Sequence, residues 1–193
     1  MKALVLEDEV LRLEPLRTEH RTDLMAVAQG IHDWRWMFWD LREARQFDQF
    51  MDSALARHQN GTDRVFVAYD KTTNRMVGSS RFIDIDETHR GVEIGWTWFV
   101  ESVWGAYVNP RCKRLMLSYA FEHWGAERVM LKTDHKNLHS QAAIRKLGAL
   151  YEGTLRHHRQ RRDGTWRDTV VFSILRQEWP AVRASLDRRI ADS

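Results

Sequence analysis

A short segment in the second half of the chain has residue types that suit phosphate binding. Residues 104–109 (WGAYVN) lead into Pro110, and Arg111 follows at once. Asparagine is a favoured helix N-cap and proline suits the first helical position, so we expect a helix from Pro110 to about Trp124. The unpaired N–H groups and partial positive charge of a helix N-terminus attract anions. The same pattern is typical of an ordinary helix start, so alone it does not identify a site.

A second segment, residues 133–140 (TDHKNLHS), carries polar side chains where an expected strand over 128–133 gives way to a helix. A helix that opens near Asn137 would place its carboxamide and the hydroxyl of Ser140 at one edge of a cleft. The alternative for this pair is a simple helix-capping arrangement. The segment is therefore a candidate site, and its role depends on which residues lie across the cleft from it.

The elements that position these segments can be predicted from periodicity and turn residues. Alternating and apolar runs predict strands over 10–16, 64–69, 76–83, 91–100, 128–133, 149–157 and 167–175. Amphipathic spacing and capping residues predict helices over 19–29, 43–58, 110–124, about 137–147 and 177–190. Gly95 interrupts its strand, as at a β-bulge or a close backbone approach. Strands that dominate the first half and alternate with helices in the second predict a mixed sheet with helices on both faces.

The composition favours a single cytosolic domain over residues 1–193. Of the 193 residues, 43% are hydrophobic, and no run approaches the roughly 18 apolar residues of a membrane span. Acidic residues near the N-terminus argue against a signal peptide, and the single cysteine, Cys112, suits a reducing cytoplasm. His135 and His139 have the spacing of a metal-binding pair, but no third ligand is near in sequence, and we predict no metal.

Charge gives little support for a nucleic-acid partner. The chain has 30 basic and 27 acidic residues, a net charge of +3, and no nucleic-acid-binding motif. Residues 156–162 (RHHRQRR) form a dense basic run, which we interpret as a solvated hairpin tip. An anionic cofactor, an acidic partner or RNA would be the alternative ligand for this run.

Several motifs, taken in order, resemble one family. They are residues 93–98 (EIGWTW), 109–122 (NPRCKRLMLSYAFE), 137–144 (NLHSQAAI), 147–149 (LGA), 152–156 (EGTLR), 163–174 (DGTWRDTVVFSI) and 178–180 (EWP). Together they resemble the GCN5-related N-acetyltransferase (GNAT) superfamily, in its RimJ/RimL-like ribosomal-protein branch. The resemblance spans nearly the whole chain and is strongest from about 91 to 180.

The resemblance implies an α/β domain with a mixed, mostly antiparallel, splayed sheet and acetyl-CoA in its cleft. The residues that it assigns to the cofactor are Trp98, Phe99, Trp104, Gly105, Ala106, Tyr107, Val108, Asn109, Arg111, Asn137 and Ser140. It also implies that the acetyl group passes directly to a primary amine, with no acyl-enzyme. Glu93 would then be the base and Ser140 the acid, or the hydrogen-bond donor to the thiolate. Their alternative roles are a surface carboxylate and a helix cap, and Tyr119 is another candidate hydroxyl.

Two positions depart from the family pattern. The superfamily's phosphate loop usually carries a basic or amide residue where this chain has Trp104, and a glycine where it has Tyr107. A tyrosine held at positive φ would cost about 1–2 kcal/mol. Either the loop takes another path or phosphate binding is weakened. This departure supports the alternative function, a degenerate acyl-CoA-binding protein without transferase activity.

An aromatic segment, residues 33–40, resembles the acceptor-side lid of the superfamily. Trp34, Trp36 and Trp39 would line the acceptor cleft together with Trp96, although core packing or a dimer contact is an equal alternative. The acceptor is expected to be a peptide or protein α-amine or a small-molecule amine. Homodimers are common for this fold, by resemblance.

Overall fold

The computed structural model describes residues 4–192 and contains one eight-stranded sheet. The strands are β1 (Leu6–Glu7), β2 (Leu11–Pro15), β3 (Arg64–Asp70), β4 (Arg75–Asp86), β5 (Gly91–Phe99), β6 (Arg128–Asp134), β7 (Leu150–Gln160) and β8 (Trp166–Leu175). Their spatial order is β1-β2-β3-β4-β5-β6-β8-β7. The predicted single domain over 1–193 includes residues 1–3 and 193, which lie outside the described residues.

One pair of strands opens the sheet. All neighbours pair antiparallel except β5 and β6, which are parallel and pair only from Gly91↔Arg128 to Glu93↔Met130. Beyond that point β5 continues to Phe99 and β6 to Asp134 without further pairing to each other. The predicted mixed, mostly antiparallel and splayed sheet is confirmed, and the gap lies at its centre.

Helices cover both faces of the sheet, as predicted. They are α1 (Arg21–Gln29), α2 (Ala44–Gln59), α3 (Val108–Ser118), α4 (Leu138–Lys146) and α5 (Trp179–Ala191), with α3 continued by a π-helical segment, Tyr119–Trp124. Buried residues of α1 and α2 pack in one hydrophobic cluster with Val65 and Val67 of β3. Those of α3, α4 and α5 pack in a second cluster on the other face with Val92 and Ile94 of β5.

Two details of these elements differ from the sequence expectations. α3 begins at Val108 with Tyr107 as its N-cap, so Asn109 is not the cap and Pro110 is the third helical residue. The proline still costs no hydrogen bond, because the first-turn N–H groups have no intrahelical acceptor. The short strand β1 was not predicted, since two residues carry no periodicity.

A bulge in β5 decides which side chains face the gap. Ser79 of β4 lies opposite Trp98, and Arg81 lies opposite Gly95, so β5 has one residue more than β4 between these rungs. Trp96 takes up the extra length at a φ of 49°. The alternation shifts across the bulge, because Ile94 packs on the α3 face and Trp98 packs on the α1–α2 face. The bulge that Gly95 predicted is therefore present, immediately after that glycine.

Candidate active site

A cavity of about 770 Å³ occupies the gap where β5 and β6 part. One wall is the second half of β5, from Ile94 to Phe99, and the other is the end of β6 with α4 behind it. The start of α3 closes one end, and the aromatic segment closes the other. The two polar segments singled out in the sequence therefore face each other across one cleft.

The cavity joins the two faces of the sheet. Asn109 and Lys113 line it from α3, which covers one face. Arg81 and Arg167 line it from the opposite face, where the strand register aligns them with Glu93, Lys132 and Asp134. Two ligands could therefore enter from opposite sides and meet where the strands separate.

The loop before α3 takes a path that spares Tyr107 from strain. Gly105 supplies the left-handed conformation, with a φ of 72°, whereas Tyr107 has a φ of −72°. The Tyr107 hydroxyl donates a hydrogen bond to Asp70 Oδ2, 2.9 Å away, which raises the pKa of the phenol. The indole N–H of Trp104 donates to the carbonyl oxygen of Phe99 at 2.7 Å. The loop therefore holds Tyr107 without the strain of a positive φ.

The predicted cofactor residues fall into two groups. Those that line the cavity are Trp98, Phe99, Trp104, Gly105, Asn109, Asn137 and Ser140, and those that do not are Ala106, Tyr107, Val108 and Arg111. Arg111 is turned toward the β1–β2 connection, where its guanidinium pairs with Asp8 at 3.0 Å and Glu9 at 2.5 Å. A cation at this end of the cavity must come from another residue.

Lys113, on α3, is that cation. Its side chain is buried, it lines the cavity, and its Nζ donates to Thr97 Oγ1 at 2.5 Å. Thr97 Oγ1 is in turn 2.8 Å from Ser80 Oγ. Burial lowers the pKa of Lys113, because the charged form loses hydration. The spacing of four residues from Asn109 was the available signal, since i and i+4 share a helix face.

The start of α4 presents one free hydroxyl. Asn137 is the N-cap, and its Oδ1 accepts the backbone N–H of Ser140 at 3.0 Å. The cap is thus the asparagine, and Ser140 contributes only its backbone to it. Ser140 lines the cavity, and its hydroxyl makes no hydrogen bond within residues 4–192.

Glu93 lies where β5 and β6 are last paired. Its Oε2 accepts from Lys132 Nζ at 2.7 Å, and its side chain is only 13% exposed. Gly95 makes room for this carboxylate, because a Cβ there would lie 3.0 Å from Glu93 Oε1 and 2.8 Å from Ile83 Cδ1. The carboxylate also lines the cavity.

The aromatic segment forms the opposite wall of the cavity. Phe38 and Trp39 lie 5.6 and 5.2 Å from the ring of Trp96. Trp34 is only 2% exposed, donates its indole N–H to Ala28 and packs edge-on against Trp98. Trp34, Trp36, Trp39 and Trp96 all line the cavity, and Trp34 is also part of the core.

The basic run, residues 156–162, is largely exposed, but its last two arginines bind other parts of the fold. Arg161 binds Asp134 through Nε at 2.6 Å and Nη2 at 2.9 Å. Arg162 donates to the carbonyl oxygen of Trp34 at 3.0 Å and pairs with Asp40 at 3.3 Å. Burial alone would raise the pKa of Asp134, but the hydrogen bonds from Arg161 and from the Lys136 backbone, together with the nearby arginine charges, hold that pKa below its ordinary value. The β7–β8 hairpin therefore fastens the aromatic segment over the cleft.

The alternative hydroxyl and the histidine pair singled out in the sequence do not contribute to this cavity as catalytic or metal-binding groups are expected to. Tyr119 packs against Phe82 and His123 and does not line the main cavity. Among residues 4–192, no three His, Cys, Asp or Glu residues are grouped so that they could hold a metal ion. Each helix within that range is too short or too polar to span a bilayer.

The comparison with known families decides the assignment. The sequence model of the acetyltransferase (GNAT) domain matches residues 11–150, which include β5, the start of α3 and the start of α4. This protein belongs to the GNAT acetyltransferase family. The resemblance to the GNAT superfamily inferred from the motifs is thus confirmed.

Three relatives illustrate how this GNAT protein compares with others. A Bacillus subtilis (strain 168) protein described as "Putative ribosomal N-acetyltransferase YdaF" is 30% identical over 109 residues, 54% of this chain and 56% of that protein. The chain thus spans little more than half the length of that curated relative. A solved GCN5-related N-acetyltransferase from Brucella melitensis is 25% identical with a TM-score of 0.87, over 97% of this chain and 86% of that one. RimL, a ribosomal α-N-protein acetyltransferase solved in complex with coenzyme A, shares the fold at 20% identity, with a TM-score of 0.76 over 89% of this chain and 98% of its own.

Proposed function

We propose that this GNAT protein is an N-acetyltransferase that moves an acetyl group from acetyl-CoA to a primary amine. The acceptor is a peptide or protein N-terminal α-amine or a small-molecule amine. The observation that carries the proposal is the through-sheet cleft, which has the start of α3 on one side, a carboxylate and an aromatic wall on the other, and a free hydroxyl at the start of α4. Relatives of the same family act as acetyltransferases, and the alternative of a non-catalytic acyl-CoA-binding protein is not favoured.

The residues at the α3 side of the cleft fit acetyl-CoA in charge and in shape. The helix N-terminus, Asn109 and the buried Lys113 would hold its anionic groups. The apolar side chains of Phe99, Ile144 and Leu147 line the same side, as the pantetheine arm requires. When bound, the cofactor supplies the acetyl group as a reactive thioester.

The chain's own polar groups supply the proton transfers. Glu93 would take the proton from the acceptor's amine nitrogen, directly or through a water molecule. Ser140, whose hydroxyl has no other partner in the described part of the chain, would donate a hydrogen bond to the sulfur as it departs. The aromatic wall excludes water, and polar interactions in the cleft are therefore stronger.

Turnover with an amine panel tests this function. The protein is incubated with acetyl-CoA and a mixed library of short peptides and small amines, and the products are followed by mass spectrometry. A mass increase of one acetyl group on an amine, with release of one equivalent of free thiol, supports the proposal. No acetylated product from a folded sample that binds acetyl-CoA would reject it and leave the non-catalytic alternative.

Three further properties belong to the proposal. We expect one domain, a cytoplasmic location and a homodimer. The single cysteine, Cys112, is buried beside Met116, with the two sulfur atoms 3.8 Å apart, and suits a reducing compartment. Light scattering of the purified protein would decide the oligomeric state.

A further inference from the structure

Arg167, near the start of β8, is a cation in the cleft without an ion-pair partner. Its guanidinium lies over the ring of Phe38 at 5.4 Å and lines the cavity. Its Nε is sealed from solvent with no hydrogen-bond partner, and among residues 4–192 its terminal nitrogens have none either. Burial lowers the pKa of Arg167, which reflects the cost of holding this charge away from water.

The acids near Arg167 are already neutralised by other residues. Asp134 is bound through both oxygens by Arg161. Glu93 is paired with Lys132 at 2.7 Å. Arg167 therefore has no acid paired to it: Asp134 and Glu93 act on its charge only through space, and a buried charge without a paired partner is costly.

A second arginine of the cleft, Arg81, is in a different position. It is only 3% exposed, and its guanidinium lies between the rings of Phe50 and Trp96, at 5.2 and 5.0 Å. Its Nη1 is 3.5 Å from Asp63, and its other nitrogens are sealed from solvent. Arg81 thus has two guanidinium nitrogens buried without a partner, Nε and Nη2, and forms part of the cavity wall. In Arg167 only Nε is buried in this way.

Arg167 also lies at the correct end of the sheet to meet an acceptor. The backbone N–H of His135 donates to the carbonyl oxygen of Asp168 at 3.0 Å, which joins the start of β8 to the connection between β6 and α4. Ser140 lies in the first turn of α4. Arg167 is on the acceptor face, together with Phe38 and away from Lys113.

We propose that the acceptor is an amine that carries a carboxylate near its nitrogen, and that Arg167 binds this carboxylate. The inference rests on the proposed function and specifies its substrate class. A planar guanidinium with two free terminal nitrogens matches a carboxylate in a bidentate pair. The carboxylate belongs to a free amino acid or to an acidic side chain at the start of a peptide, since both present the same group.

Matched acceptors test this assignment and separate the two sources. One arm compares peptides that differ only by Asp or Asn, and by Glu or Gln, at the first two positions. The other arm compares free amino acids with their carboxamides. In each arm, kcat and KM are measured for the parent protein and for Arg167→Gln, Arg167→Lys and Arg156→Gln. Arg156, in the same hairpin, is exposed and outside the cavity lining, so its variant controls for loss of charge.

The parent should prefer the carboxylate member of each pair in at least one arm. Arg167→Gln should lower kcat/KM for that acceptor by about tenfold or more, mainly through KM, and should leave its neutral partner nearly unchanged. Arg167→Lys should retain only part of the preference for the carboxylate acceptor. Arg156→Gln should retain all of it. Acetyl-CoA affinity should match the parent in all variants.

Three results would overturn the assignment. The first is equal use of carboxylate and neutral acceptors by the parent while turnover itself is intact, which leaves the proposed function standing. The second is an equal loss on both members of a pair in the Arg167 variants. The third is binding of acetyl-CoA without acetylation of any acceptor, in which case the proposed function fails first.

Discussion

The ammonium of Lys113 in α3 donates a 2.5 Å hydrogen bond to the hydroxyl of Thr97, immediately after the bulge in β5. This contact joins the helix that would hold the cofactor's anionic groups to the strand that forms the cleft wall. Both residues line the cavity, and Lys113 is only 5% exposed. A buried ammonium with a single hydroxyl acceptor is poorly compensated, so its retention is best explained by a ligand.

Lys113→Met should weaken acetyl-CoA binding and raise stability together. Methionine has a similar length but no charge, so the substitution removes the buried charge. We expect the free energy of unfolding to increase by about 1 kcal/mol or more at neutral pH. Calorimetric titration and thermal unfolding measure the two effects. Lys146→Met, on the exposed side of α4, is the control and should change neither. Lower stability with unchanged affinity would contradict the role.

Lys113 also predicts a pH dependence of stability. Its folded pKa lies below the ordinary value of 10.5, because burial disfavours the ammonium. Below both pKa values the cost of burying the charge is present in full. Between them the unfolded state holds more protons, so the stability contributed by this group rises with pH there. The stability gap between Lys113→Met and the parent should therefore narrow at alkaline pH, and a constant gap would contradict the assignment.

Ser140→Ala should lower turnover more than acetyl-CoA affinity. The hydroxyl has no other partner in the described chain, and its proposed bond develops only as the thiolate departs. Asn137→Ala makes a useful comparison, because it removes the cap of α4 and should cost about 1 kcal/mol of stability. It should also weaken acetyl-CoA binding. Unchanged turnover in Ser140→Ala would remove this residue from the mechanism.

Glu93→Gln should lower kcat by about a hundredfold, because the amide cannot accept the amine proton. The loss should shrink as pH rises, since more of the acceptor is then deprotonated in solution. Glu152→Gln is the matched control, because it breaks an ion pair with Arg128 on the same sheet but outside the cavity. An equal loss in both variants would indicate a structural effect.

Arg162→Gln should loosen the aromatic segment. The parent side chain holds the carbonyl oxygen of Trp34 and the carboxylate of Asp40, and hydrogen bonds from Arg42 and Arg162 hold the pKa of Asp40 well below its ordinary 3.8. The variant should show faster proteolysis between residues 33 and 42 and a higher KM for the acceptor. The Asp40 contribution to stability is complete above pH 3.8 and is lost as pH falls through the lower folded pKa. Identical rates of proteolysis in parent and variant would contradict this role of Arg162.

Local pattern was sufficient for the main elements. The helix predicted over 43–58 matches α2 to within one residue at each end, and the strands predicted over 149–157 and 167–175 overlap β7 and β8. The ordered motifs also identified the family, which the comparison confirmed. These signals depend on neighbours in sequence, which is why they could be recognised without the structure.

The long-range features of the site could not be predicted in this way. Arg162 and Trp34 are 128 positions apart, so no periodicity relates them. The burial of Lys113 was not predictable, because a polar side chain on an amphipathic helix normally faces water. The negative φ of Tyr107 depends on Gly105 taking the turn instead. The roles assigned to Glu93 and Ser140 stay predictions.

Calorimetric titration of the purified protein with acetyl-CoA tests the central claim most directly. The altered loop, the α3 N-terminus and Lys113 predict one site per chain with a dissociation constant in the micromolar range, and weaker binding in Lys113→Met. The absence of any heat of binding at millimolar acetyl-CoA, in a sample that unfolds cooperatively, would contradict the cofactor site and the acetyltransferase function with it.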